Sequence, residues 1–173
     1  TAFWGHPQTS GMVGSVDYFI TSENFHLRIS DDLLPRPSSF IEELWFMKGI
    51  TTAFKKPLVR ASSKLRTQFE ELQLPGSATV YSCLQALFKL TPKFDLVIRE
   101  LLTGDPSAIL LLLSFPSKEH AQRTRERLSR QFVHEPFMMK RIIFLAAMPK
   151  EHYLHVAGRS HVALDPFPFG GGV

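Results

Sequence analysis

Cysteine is almost missing: Cys83 is the one such residue among 173. A disulfide scaffold is therefore excluded and a reducing compartment is favoured. Long apolar runs are missing as well. Ala108 to Leu113, like every other apolar run in the chain, falls far short of the roughly 20 residues needed to cross a bilayer, so no membrane span is expected. No basic segment followed by an apolar core and small residues opens the chain. No secretory signal is read, and the expected location is cytoplasmic or nuclear. The glycine spacing of dinucleotide-binding turns and the Gly-Lys-Ser/Thr ending of a P-loop are both lacking, which disfavours dinucleotide oxidoreductases and P-loop enzymes. Ser10 stands in Thr-Ser-Gly-Met rather than between flanking glycines in a nucleophile elbow, so hydrolase chemistry lacks its signature. His152 and His155 lie three apart, but no cysteine or third ligand is spaced to complete a metal site, and no metal is expected. Internal repeats and low-complexity tracts are absent.

What is present is a folding composition. With 44% hydrophobic, 12% aromatic and 21% charged residues, the chain is too apolar for wholesale disorder. Its length suffices to bury about two-thirds of the unfolded surface in one core or two small lobes. The net charge of +4 is unevenly placed: residues 1–75 carry eight basic and eight acidic side chains, so the whole excess follows residue 75. Lys118, Arg123, Arg125, Arg127 and Arg130 crowd one stretch. Such a patch could meet a polyanion, but Glu119 and Glu126 are interleaved with it, and a solvated helix face without nucleic acid is the preferred reading.

The second part of the chain has the clearer rhythm. Thr79-Val80-Tyr81-Ser82 follows the turn signal Pro75-Gly76 and reads as a strand. Thr91-Pro92 predicts a helix start, with Thr91 as N-cap, and Gly104 its end. Ala108 to Leu113 suits a strand buried on both faces, and Ser117 can cap the basic helix running to about Gln131. Arg141 to Leu145 reads as a strand, Pro149 opens a helix to about Val156, and His161 to Asp165 reads as a last strand. This β-α-β-α-β-α-β order predicts a Rossmann-like α/β fold, a parallel sheet with helices on both faces. In the first part, Phe3-Trp4 and Asp17 to Ser22 read as strands, and His6 to Gly11 as a polar loop. Ser38 can cap a short helix containing Glu42, Glu43 and Leu44, and Ser62 to Leu74 reads as an amphipathic helical connector. Both ends read as cut, which predicts a fragment of a longer protein.

In a parallel sheet, ligands bind outside the carboxyl ends of the strands. The loops at that edge hold Gln85 and Lys89, then Lys150, His152 and Tyr153, then the glycine run Gly170-Gly171-Gly172. A lysine, an aromatic ring and bare backbone amides suit a nucleoside diphosphate. Each residue taken alone also has a plain reading. Lys89 can be an ordinary exposed lysine, the glycines a flexible loop, Tyr153 a half-buried helix residue and His6 a solvated turn histidine.

These residues resemble those of a family. Phe3-Trp4-Gly5-His6-Pro7, then Thr9-Ser10-Gly11 and Val16 to Ser22, resemble a stretch of the O-linked N-acetylglucosamine transferases and their SPINDLY-type relatives. Tyr81 to Leu90 with Pro92, Ile143-Phe144 through Pro149-Lys150-Glu151, and Val162 to Gly172 resemble later elements in the same order.

The resemblance implies a GT-B glycosyltransferase of the family-41 type. Such an enzyme is inverting, independent of metals and cofactors, and moves N-acetylglucosamine from UDP-GlcNAc to Ser/Thr hydroxyls of acceptor proteins. Fucose transfer from GDP-fucose is the close variant. Residues 1–58 would end the N-terminal lobe, 59–76 connect, and 77–173 form most of the donor-binding lobe. Carried over by position, Lys89 would neutralise the leaving diphosphate, with Gln85 near the phosphates or sugar. Met148 and Lys150 would frame the base, and Tyr153 stands where animal enzymes carry a histidine. Gly170, Gly171 and Gly172 would approach the diphosphate. His6, Thr9, Ser10 and Gly11 would face the catalytic and acceptor cleft. The resemblance further implies a parent with tetratricopeptide repeats, and a fragment that alone binds donor weakly and turns over little. The alternative from another class is a non-catalytic α/β module that binds a nucleotide or a protein.

Overall fold

The computed structural model describes residues 2–3, 9–25, 40–49, 53, 55, 68–168 and 170. The chain divides into two compact units, Thr1–Pro57 and Leu58–Val173.

The first unit holds a parallel three-stranded sheet in the order β1 (Ala2–Phe3), β2 (Tyr18–Ser22), β3 (Glu43–Met47). β2 pairs with β3 along its whole length, from Tyr18 opposite Glu43 to Ser22 opposite Met47. β3 corrects the sequence expectation, which placed Glu42–Leu44 in a helix. Leu-Trp-Phe-Met is a bulky, aromatic-rich run suited to a pleated surface, and Asp17 O accepts from Glu43 N at 2.8 Å to begin the ladder. Ser38, the expected cap, and Trp4 lie outside the described residues. Phe19 is buried against Phe40, with ring centroids 5.1 Å apart.

The second unit is the expected α/β layer structure. After the short helix α1 (Gln68–Glu71) come β4 (Thr79–Cys83), α2 (Pro92–Gly104), β5 (Ala108–Leu113) and α3 (Lys118–Gln131). β6 (Ile142–Leu145), α4 (Lys150–Arg159) and β7 (Val162–Ala163) complete it. Every pairing is parallel, and the strand order is β6-β5-β4-β7. β5 sits inside the sheet and splits its leucines between two cores. Leu110 and Leu112 pack with Phe94, Ile98, Leu128 and Phe132, whereas Leu111 packs with Val80, Leu145 and Val156. A strand covered on both faces is why its sequence is a continuous apolar run rather than an alternation.

Several boundaries differ from the sequence reading for local reasons. The last strand is shorter than His161–Asp165, yet His161 N and Leu164 N still donate to Val80 O and Ser82 O, at 2.8 and 2.7 Å. Arg141 belongs to the 3-10 turn Pro136–Arg141 that precedes β6. Ser117 does cap α3, accepting from His120 N. Thr91 occupies the N-cap of α2 without a side-chain cap bond, so the start depends on Pro92, whose fixed φ is already helical. Gly104 does not form a left-handed cap. Asp105 ends α2 instead, in extended backbone with its N–H on Leu101 O at 3.0 Å. Of the expected 62–74 connector helix, residues 62–67 lie outside the described residues. Among the described residues, no helix is long and apolar enough to cross a membrane.

Two arginines stitch these layers. Arg141 donates to the carbonyls of Ala108, Leu102 and Asp105, joining the end of α2 to the start of β5. Arg127 pairs with the fully buried Asp95 at 2.6 Å, so the basic stretch is not simply a solvated face. Arg125 is exposed but lies over the Phe144 ring, 4.3 Å from its centroid. Arg141→Ala strands three carbonyls that a charged donor now satisfies. It is expected to cost about 3 kcal/mol in chemical denaturation, with Arg141→Lys recovering only part because an ammonium lacks the planar fork.

Candidate functional site

Parallel pairing puts the carboxyl ends of β4–β7 at one edge of the sheet. The connections β4 to β5 to β6 march one way, and β7 then returns to the other flank of β4. That reversal is a topological switch point, and in such sheets the ligand crevice is expected between the loops that flank it, here those leaving β4 and β7.

Lys89 stands at this crevice. It closes the 3-10 turn Leu87–Lys89 after β4, and its Nζ donates to Gly170 O at 2.7 Å and to Gln85 Oε1 at 3.2 Å. The turn is clamped at both ends. Leu87 N donates to Phe115 O at 2.9 Å, in the loop leaving β5, and Leu90 N returns to Leu87 O at 3.1 Å. Gly170 has a local reason to be glycine: a Cβ there would lie 2.1 Å from Asp165 Oδ2. The Asp165 carboxylate, two residues past β7, thus lies against Gly170, and an added methyl would have to displace it. Gly171 and Gly172 lie outside the described residues.

Gln85, Lys89 and Gly170 are therefore brought together. Met148, Lys150 and Tyr153 leave β6, which is separated from β7 by β5 and β4. At about 4.8 Å per strand this is roughly 14 Å along the same edge. Met148 and Tyr153 are half-buried and pack on the core formed by Val80, Leu111 and Val156, while Lys150 is exposed at the start of α4. His155 Nε2 lies 2.6 Å from Glu70 Oε1 on α1, so this histidine ties α4 to α1. Cys83, at the end of β4, is fully buried. Burial, aided by the Asp165 carboxylate and opposed by the Gln85 amide, pushes its thiol up to about 11. It stays protonated at neutral pH and is no thiolate nucleophile.

In the first unit, His6 lies outside the described residues. Thr9, Ser10 and Gly11 form a loop clasped by one carboxylate that the sequence reading had placed in a helix. Glu42 accepts from Thr9 Oγ1 and Ser10 N, each at 2.7 Å, and from Ser10 Oγ. Both hydroxyls also accept from amides two residues on, Gly11 N and Met12 N, so they serve the loop itself. Gly11 takes φ +71°, which favours glycine. Burial raises the Glu42 carboxyl, but the bonds from Ser10 and Thr9 outweigh it and lower it to about 2. No spacing in the sequence marks Glu42 as their partner.

No protein-family profile matches this sequence, and no curated protein matches it. Among solved structures the chain is similar to a lysine-to-methionine mutant of an O-GlcNAc transferase from Thermobaculum terrenum, with a TM-score of 0.66 and 22% identity. The alignment covers 96% of this chain and 28% of that one. The fold is glycosyltransferase-like. At this identity the likeness speaks for the α/β architecture, here spanning under a third of that enzyme's length.

Two outcomes test the site's construction. Gly170→Ala should lower the thermal midpoint, and should cost markedly less in an Asp165→Ala background, because the collision is with that carboxylate. Glu42→Gln should destabilise the protein at neutral pH. A depressed carboxyl adds stability above its ordinary value of 4.5 and loses it toward the folded value near 2. The gap between the two proteins should therefore close as pH falls across that window in denaturation series.

Proposed function

We propose that the chain is part of a nucleotide-sugar-dependent protein glycosyltransferase that moves N-acetylglucosamine from UDP-GlcNAc to Ser/Thr hydroxyls. The observation that carries this reading is the Lys89 ammonium set beside Gly170 at the switch point of a parallel sheet. In such a reaction the acceptor oxygen attacks the anomeric carbon while the bond to the diphosphate oxygen breaks on the opposite face, inverting the configuration. The catalytic demand is to hold two reactants in line and to offset charge growing on the departing diphosphate. Lys89 supplies that charge, with Gln85 beside it and the backbone of Gly170, Gly171 and Gly172 approaching the phosphates. Neither a metal nor a bound cofactor is required.

Met148 and Lys150 frame the base further along the edge, and Tyr153 backs them from the core. His6, Thr9, Ser10 and Gly11 serve the acceptor side, with Glu42 holding that loop in shape. Residues 1–58 then close an N-terminal lobe, 59–76 connect, and 77–173 hold the donor. The partners are a nucleotide-sugar donor and acceptor proteins of the cytoplasm or nucleus, presented by tetratricopeptide repeats in the parent. Tyr153, in place of the histidine of the animal enzymes, keeps GDP-fucose as a second donor reading, as in SPINDLY-type members.

Thermal-shift titration of the intact protein with UDP and with GDP separates these. The true nucleotide at about 100 times its Kd should add about 2.7 kcal/mol of stability. Lys89→Ala should weaken binding roughly tenfold to a hundredfold, the worth of a charged hydrogen bond. No shift with either nucleotide would leave the non-catalytic protein-binding module as the better account.

A further inference from the structure

We propose that Arg127, held by Asp95, is the positioning residue that sets where the Lys89 ammonium stands in the crevice; this deepens, and rests on, the reading of that crevice as a diphosphate site. Arg127 comes from the basic stretch of α3, but its side chain turns inward. Nε donates to Asp95 Oδ2 at 2.6 Å and Nη2 to Oδ1 at 3.0 Å, a two-pronged pairing. The same Nη2 donates to Leu90 O at 2.6 Å. Leu90 is buried and directly follows Lys89, and its own N–H closes the turn that carries the lysine. Arg127 is thus the clamp on the far side of that turn, opposite the Phe115 carbonyl that holds Leu87.

The choice of residues argues for geometry over stability. A buried ion pair is often replaceable by packed apolar side chains at no loss, because desolvation offsets the attraction. Hydrophobic side chains cannot hold the buried Leu90 carbonyl, and an ammonium lacks the fork that reaches a carboxylate and a carbonyl together. Asp95 also balances the arginine's charge, so Arg127 aims Lys89 without competing for the anion. Small displacements of a catalytic group carry large rate penalties, on the order of a hundredfold per ångström.

The test uses the intact protein and two variants, Asp95→Leu/Arg127→Met and Arg127→Lys. The first removes the ion pair, whose carboxylate is buried and whose arginine is partly exposed, and keeps an apolar filling. The second leaves Asp95 paired but gives up the bond to Leu90, and it is the variant to read should the first fail to fold. Lys89 reactivity is followed by reductive methylation with formaldehyde and mass spectrometry, alongside UDP and GDP affinity and thermal midpoint. In a folded variant Lys89 should methylate several-fold faster than in the parent, with other lysines unchanged, and nucleotide affinity should fall about tenfold. In a Lys89→Ala background the same changes should have no further effect on affinity. Unchanged Lys89 methylation and affinity in a folded variant would overturn the positioning role. Faster methylation in a protein that binds neither nucleotide would uphold it while removing the diphosphate reading.

Discussion

Parallel pairing around β5 is the constraint from which the second unit follows. Leu110, Leu111 and Leu112 are each fully buried, and successive side chains point to opposite faces. Helices must therefore cover both faces, and each connection must run back across the sheet to start the next strand in the same direction. All carboxyl-terminal loops then share one edge. The return of β7 to the free flank of β4 leaves one place where two loops part, and Lys89 and Gly170 meet there.

Polar groups hold what the leucines cannot specify. Hydrophobic burial fixes that α2 and α3 lie on the sheet, but it is non-directional. Direction comes from arginines that reach carbonyls and a carboxylate at defined angles: Arg141 where α2 hands over to β5, and Arg127 where α3 meets the Lys89 turn. The first unit uses the opposite charge for the same end. Glu42 gathers two hydroxyls and an amide, and so holds its loop with one side chain. In each case the partners lie more than 30 residues apart in sequence.

That separation explains which parts were legible beforehand. Pro92, Ser117 and the leucine run announce local structure, because caps and periodicity act within a turn or a strand. The Glu42–Leu44 reading failed where a capping pattern competed with a bulky run that tertiary pairing claims for β3. The solvated-face reading holds for Lys118, Arg123, Arg125 and Arg130, which are exposed, and only packing against α2 selects Arg127 from among its neighbours. Tyr153 fits its plain reading as a half-buried helix residue.

The order of elements, the doubly covered central strand, and the placing of Gln85, Lys89 and Gly170 at strand exits were determined by the sequence alone, since each depends on residues close together in the chain. Which of those exits become neighbours was decided by the order β6-β5-β4-β7. The tertiary structure also chose the side chains that brace them, because a carbonyl or carboxylate finds its donor in space, across distances that no sequence spacing encodes.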